Sequence, residues 1–85
     1  MKPIVYTKDA LKGLRQLYKN KPKLYQRFME AFDSMSQDKL DHLDVKKMTG
    51  LPDTYRLRIG DYRAVFTNQG VLLRIDVVAP RGRAY

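Results

Sequence analysis

Arginine carries the chemistry in this sequence. Five guanidinium groups fall in three short segments: Tyr55-Arg56-Leu57-Arg58-Ile59, Gly60-Asp61-Tyr62-Arg63 and Pro80-Arg81-Gly82-Arg83-Ala84-Tyr85. A guanidinium presents a rigid fork of donors that grips a phosphate through two parallel hydrogen bonds. An aromatic ring stacks on an unpaired base, and Tyr55, Tyr62 and Tyr85 flank or end the array. Such a set can bind the backbone of single-stranded RNA and stabilise charge that develops on it. The residue types alone do not separate binding from cleavage.

Positioning these groups is a task for strands. In the first two segments apolar residues alternate with arginine, so a sheet built from them has one oily face and one cationic face. The Gly60-Asp61 step between them is a two-residue hairpin signal. Closure there pairs Ile59 with Tyr62, Arg58 with Arg63 and Leu57 with Ala64. Like charges directly opposite each other destabilise a sheet by up to about 1 kcal/mol, which is easier to understand if an anion sits between them. RNA phosphate is the leading candidate. The plain alternative is a solvated face, since an exposed sheet face must be polar. Against it, the polar positions nearest the turn are all arginine, and Arg81 and Arg83 follow the last strand closely.

The rest of the chain supplies a scaffold. Ile4-Val5-Tyr6 reads as a strand, Thr7 as a helix cap, and Asp9 suits the first turn. Ala10, Leu11, Leu14, Leu17 and Tyr18 then recur at helical spacing. Lys19-Asn20-Lys21 breaks that pattern, and Pro22 opens a second helix with the stripe Tyr25, Phe28, Met29, Phe32 and Met35. Both stripes are expected in the core. Residues 36–44 read as a loop or frayed helix end, 44–48 as a strand or irregular segment, and 49–53 as a turn cluster. Three strands follow, at about 54–59, 62–67 and 71–79. In the last, Val71, Leu73, Ile75 and Val77 form the apolar face, while Arg74 and Asp76 share the cationic one. The order β-α-α-β-β-β predicts an α+β domain spanning 1–85. Its two helices pack on one face of a small, mostly antiparallel four-stranded sheet, and the opposite face is open and basic.

Composition narrows the options. The chain has 85 residues, 17 Lys+Arg against 9 Asp+Glu, a net charge of +8 and no cysteine. A field of that sign attracts polyanions and acidic proteins. Disulfides, thiolate catalysis and cysteine-based zinc sites are excluded. No apolar run approaches the roughly 20 residues of a membrane span, and the N-terminus is too short in apolar residues for a signal core. The expectation is a soluble, cytoplasmic protein without a membrane. Metal and cofactor chemistry lack support: His42 is the sole histidine, nothing local orients it, and Asp38, Asp41 and Asp44 are spaced like a solvated loop. Lys46 and Lys47 offer a secondary phosphate contact, and Asp76 is expected to neutralise a neighbouring arginine. A Ser-His-Asp set, paired catalytic carboxylates and a Gly-rich phosphate loop find no candidates.

The run from Lys46 through Thr49-Gly50-Leu51-Pro52-Asp53 and Tyr55 to Phe66, with the ending Val77 to Tyr85, resembles the RelE/ParE superfamily of type II toxins. The similarity covers nearly the whole chain. It implies a RelE-like fold and one of two activities. RelE-like members are ribosome-dependent endoribonucleases (mRNA interferases) that inhibit translation, whereas ParE-like members inhibit DNA gyrase. Carried over residue by residue, the catalytic set is Arg58, Arg63, Arg81 and Tyr85, with Arg56, Lys46, Lys47, Arg74 and Arg83 as RNA-binding residues. The complete basic set favours the nuclease branch.

The reaction so implied is attack by a ribose 2′-OH on its own 3′-phosphate without metal, leaving a 2′,3′-cyclic phosphate and a 5′-OH. Two departures from the pattern stand out. Pro80 replaces a frequent histidine or lysine, and the hairpin pair is arginine at both positions, so the set holds no obvious general base. The resemblance also implies partners: an acidic antitoxin, mRNA on the ribosome, and operator DNA as a ligand of the toxin–antitoxin complex. A gyrase-directed toxin and a catalytically inactive antitoxin-binding module remain the alternatives.

Overall fold

The computed structural model describes residues 1–82, so Arg83 and Tyr85 of the expected site lie outside the described residues. The elements are β1 (Ile4–Tyr6), α1 (Lys8–Asn20), α2 (Pro22–Ser36), β2 (Asp44–Lys47), β3 (Thr54–Ile59), β4 (Tyr62–Asn68) and β5 (Leu73–Pro80). They form one sheet in the order β1-β5-β4-β3-β2. β1 runs parallel to β5, and the other pairs are antiparallel. The architecture is the expected α+β, with five strands rather than four. The added strand is the segment 44–48 whose state the sequence left open. Four residues are too few for alternation to declare a strand, and pairing with β3 makes it one.

Thr7 fastens the start of α1 to the sheet. Its Oγ1 accepts from the Ala10 amide at 3.1 Å and donates to the Asp76 carbonyl at 2.7 Å, while its own amide donates to the Ile75 carbonyl at 3.0 Å. Thr7→Val keeps the shape and removes both hydroxyl bonds. An N-cap contributes about 1 kcal/mol and a tertiary hydrogen bond about another. The melting midpoint is therefore expected to fall by roughly 10 °C, with Thr7→Ser close to wild type in the same thermal melt.

Both helices cover one side of the sheet. Ala10, Leu14 and Leu17 of α1 and Phe28, Ala31, Phe32 and Met35 of α2 pack with Leu57, Ile59, Ala64, Phe66, Leu73, Ile75 and Val78. The outer flank of each stripe departs from expectation: Leu11 and Tyr18 are 42% and 64% exposed, and Tyr25 and Met29 are only half-buried. Each stripe is wider than the strip the sheet can cover. The surplus lines an apolar groove of about 380 Å³ between the helices, with Tyr6, Leu14 and Arg15 at its floor and wall. Burial first, and then the nearby Tyr25, push the Tyr6 phenol above its ordinary range.

In β5 the expected alternation breaks. Val65 pairs with Val77 but Phe66 pairs with Ile75, so Asp76 is an extra residue at a bulge. The insertion shifts the face of everything after it. Val78, not Val77, enters the core, and Val71 lies before the strand, 78% exposed. The cause is the Asp76 carboxylate, which accepts from Thr67 Oγ1 at 2.7 Å and from Arg74 Nε at 2.5 Å. Asp76 thus neutralises Arg74, as expected from the sequence. Among the described residues, no helix is long and apolar enough to cross a membrane.

Candidate nucleic-acid interface

The hairpin closes at the expected place and register. Gly60 takes φ +58°, the positive φ that the first residue of a type II′ turn needs. Ile59 then pairs with Tyr62, Arg58 with Arg63 and Leu57 with Ala64. Since Leu57, Ala64 and Ile59 belong to the core, alternation puts Arg56, Arg58 and Arg63 on the side away from the helices. Arg58 and Arg63 face each other across neighbouring strands, about 5 Å apart at Cβ. The end of β5 brings the backbone of a third arginine. Ala79 lies opposite Arg63, and the Arg81 amide donates to the Asp61 carbonyl at 2.7 Å. That bond ties the backbone of Arg81 to the tip of the same hairpin, so chain stretches nearly twenty residues apart in sequence meet at one end of the sheet.

This face is not uniformly open. Arg58 and Arg81 are exposed and Arg56 is half-buried, but Arg63 is only 8% exposed. β4 is the central strand, flanked by β3 and β5. A guanidinium held in that position is preorganised and poorly hydrated, two conditions that strengthen its action on developing negative charge.

The remaining expected residues divide. Lys46 is paired with Arg56, on the arginine face, whereas Lys47 is paired with Tyr55, on the helix side, and is exposed at the sheet edge. Asp44 lies opposite Arg58. Arg74 pairs with Thr67 and is held by Asp76. It lies four residues along β4 from Arg63, or about 13 Å, and so belongs to the far end of the face.

Two aromatic expectations are overturned. Tyr55 stacks on Phe66 with ring centroids 5.5 Å apart, and Tyr62 takes the Lys21 ammonium over its ring at 5.5 Å. Both rings lie on the helix side, because they alternate with the arginines, so neither can stack a base beside them.

A second feature escaped the sequence. A cleft of about 440 Å³ between α2 and the β2 side of the sheet is lined by Arg27, Glu30, Ser34, His42, Asp44 and Arg58, among others. Its polar residues come from separate segments: α2, the loop before β2, β2 itself and β3. Among the described residues, no group of three or more His, Asp or Glu side chains is placed to hold a metal ion.

A family profile described as the ParE toxin of the type II toxin–antitoxin system parDE matches residues 4–85. The chain belongs to this family. It is a type II toxin of the RelE/ParE superfamily. A chain in the crystal structure of the archaeal RelE–RelB complex from Pyrococcus horikoshii OT3 is 31% identical over 98% of each chain, with a TM-score of 0.75. The RelB–RelE antitoxin–toxin complex from Methanococcus jannaschii matches at 22% identity over 91% of this chain and 89% of that one, with a TM-score of 0.78. The E. coli DinJ–YafQ complex reaches a TM-score of 0.85 at 11% identity, over 100% and 99% of the two chains. The last two likenesses show the fold alone. No match was found among curated protein sequences.

Proposed function

We propose that this toxin is a ribosome-dependent endoribonuclease that cleaves mRNA by attack of a ribose 2′-OH on the adjacent phosphate. The observation that supports this reading is that Arg58 pairs with Arg63 on the face away from the helices, while the backbone of Arg81 is bonded to the tip of the same hairpin. In-line attack puts extra negative charge on the phosphorane, and fixed cations in a water-poor site stabilise it by several kcal/mol. Arg56 and Lys46, paired on the same face, extend the cationic track along the RNA strand. The ribosome contributes alignment by holding the message splayed, which converts weak chemistry into an effectively intramolecular reaction. Identity of 31% to a chain of an archaeal RelE–RelB complex also supports this branch.

The partner is an acidic antitoxin. The net charge of +8 favours its approach, and the exposed apolar groove between α1 and α2 gives an amphipathic segment somewhere to bury its oily side. The second reading, action on DNA gyrase, draws on the ParE description of the matching family.

Primer-extension mapping of transcripts after brief induction, with and without translating ribosomes, separates the two. The nuclease reading expects discrete cuts that need ribosomes, and at least a 100-fold loss of cutting in Arg81→Ala with unchanged folding. Intact messages with arrested DNA replication would transfer the assignment to gyrase. Wild-type cutting by folded Arg81→Ala would remove Arg81 from the site.

A further inference from the structure

The arginine face has an end. Arg56 and Lys46 carry its charge away from the hairpin tip, but in the other direction β3 and β4 stop at Gly60 and Asp61. Beyond that tip lies the junction of the two helices. A Cβ on Gly60 would lie 3.8 Å from Leu24 Cδ1 of α2. The Lys21 ammonium sits 5.5 Å from the centre of the Tyr62 ring, and Tyr62 is the residue before Arg63. The start of α2 therefore abuts the same hairpin end from the helix side.

This junction is strongly basic. From Ala10 to Met29 the chain holds six cations, Lys12, Arg15, Lys19, Lys21, Lys23 and Arg27, and no acidic residue. Against a net charge of +8 for the whole chain, these two helical segments hold most of the excess. All six are exposed, and among the described residues none of them forms an ion pair. Crowded like charges raise the local potential and oppose the compact state, a cost that an anion lying along them removes. Three of the six, Lys21, Lys23 and Arg27, line a groove of about 470 Å³ with Pro22 and Leu24. The cations suit phosphates, and the two apolar side chains give a ribose or base a surface to lie against.

We propose that this groove binds the message: the RNA strand leaving the arginine face turns over the hairpin tip and lays its next phosphates along Lys21, Lys23 and Arg27. The identity of the strand rests on the nuclease reading above. An acidic protein segment would meet the same charges, but the groove begins where the track for the RNA backbone ends, which favours the strand already there. Lysine ammonium groups hold phosphate as point charges without a fixed geometry, so the contact adds affinity and register but reads no sequence.

The test is equilibrium binding of non-cleavable RNA, carrying a 2′-deoxy sugar at each position, to the purified toxin over a range of salt concentrations. One oligomer is just long enough to cover the arginine face, and a second is extended at both ends. The wild-type protein should bind the extended strand more tightly. The triple variant Lys21→Met, Lys23→Met, Arg27→Met should lose about 10-fold or more of that affinity at low salt, with the salt dependence shallower by about two units of log–log slope. It should bind the short oligomer like wild type and melt at the same temperature. Equal weakening of both oligomers would reveal only a loss of bulk charge, and equal wild-type affinity for the two would show that the strand stops at the tip. Either result overturns the proposal. So does an unchanged affinity for the extended strand with weakened binding to ribosomes lacking a message, or to the antitoxin, which would give the groove to ribosomal RNA or to the partner protein. Cleavage enters none of these measurements, so the nuclease reading stands or falls separately, on the transcript mapping.

Discussion

Arg63→Met is expected to abolish mRNA cleavage. At 8% exposure on the central strand, its guanidinium has given up most of its hydration. It also faces a like charge, Arg58, in the hairpin register. The same substitution removes the cation best placed to act in low dielectric on the phosphorane. One preorganised donor of that kind is worth about 100- to 1,000-fold in rate. Cleavage mapped on ribosomes checks this, with a thermal melt of the same preparation to show that the variant is folded. A variant melting far below wild type would show the guanidinium to be a structural member of the sheet. One that cuts normally would remove it from the site.

Gly13→Ala is expected to destabilise the protein strongly, against the usual effect of such a change. In an exposed helix interior, alanine in place of glycine gains about 1 kcal/mol. Here a Cβ on Gly13 would lie 1.9 Å from the Val78 carbonyl oxygen and 2.9 Å from its carbon. Both are backbone atoms of β5, which is held to β4 on its other side, so neither can swing aside. Helix α1 must instead back away from the strand, loosening Ala10, Leu14 and Leu17 against Ile75 and Val78. A net loss of about 3 kcal/mol follows, or a fall of roughly 15 °C in melting temperature. Gln16→Ala, on the exposed side of the same helix, is the control and should melt like wild type. A stabilised Gly13→Ala protein would show that α1 and β5 do not approach so closely.

Local signals carried much of this protein. Thr7 as a cap, the two helices, the Gly60-Asp61 turn and the pairing of Arg58 with Arg63 all follow from residues within a few positions of one another. A turn residue with positive φ and a period of two leave only one register for such a hairpin. The arginine face was legible for the same reason, and with it the core of the candidate site.

What was not legible depends on distant partners. The Asp76 bulge exists because Thr67 and Arg74 converge on one carboxylate and Thr7 on the carbonyl of the same residue, and it exchanged the roles of Val77 and Val78. Nothing local told that Arg63 is buried while Arg58 is exposed, or that Tyr55 stacks on Phe66 and Tyr62 meets Lys21. Strand order gave Asp44–Lys47 a strand to pair with. Gly13 reads as a weak point in a helix until the carbonyl beside it is known. Periodicity reports which way a side chain faces relative to its neighbours in the chain. Which other segment lies on that side is settled only when the whole sheet closes, since contacts between residues far apart in sequence leave no local trace.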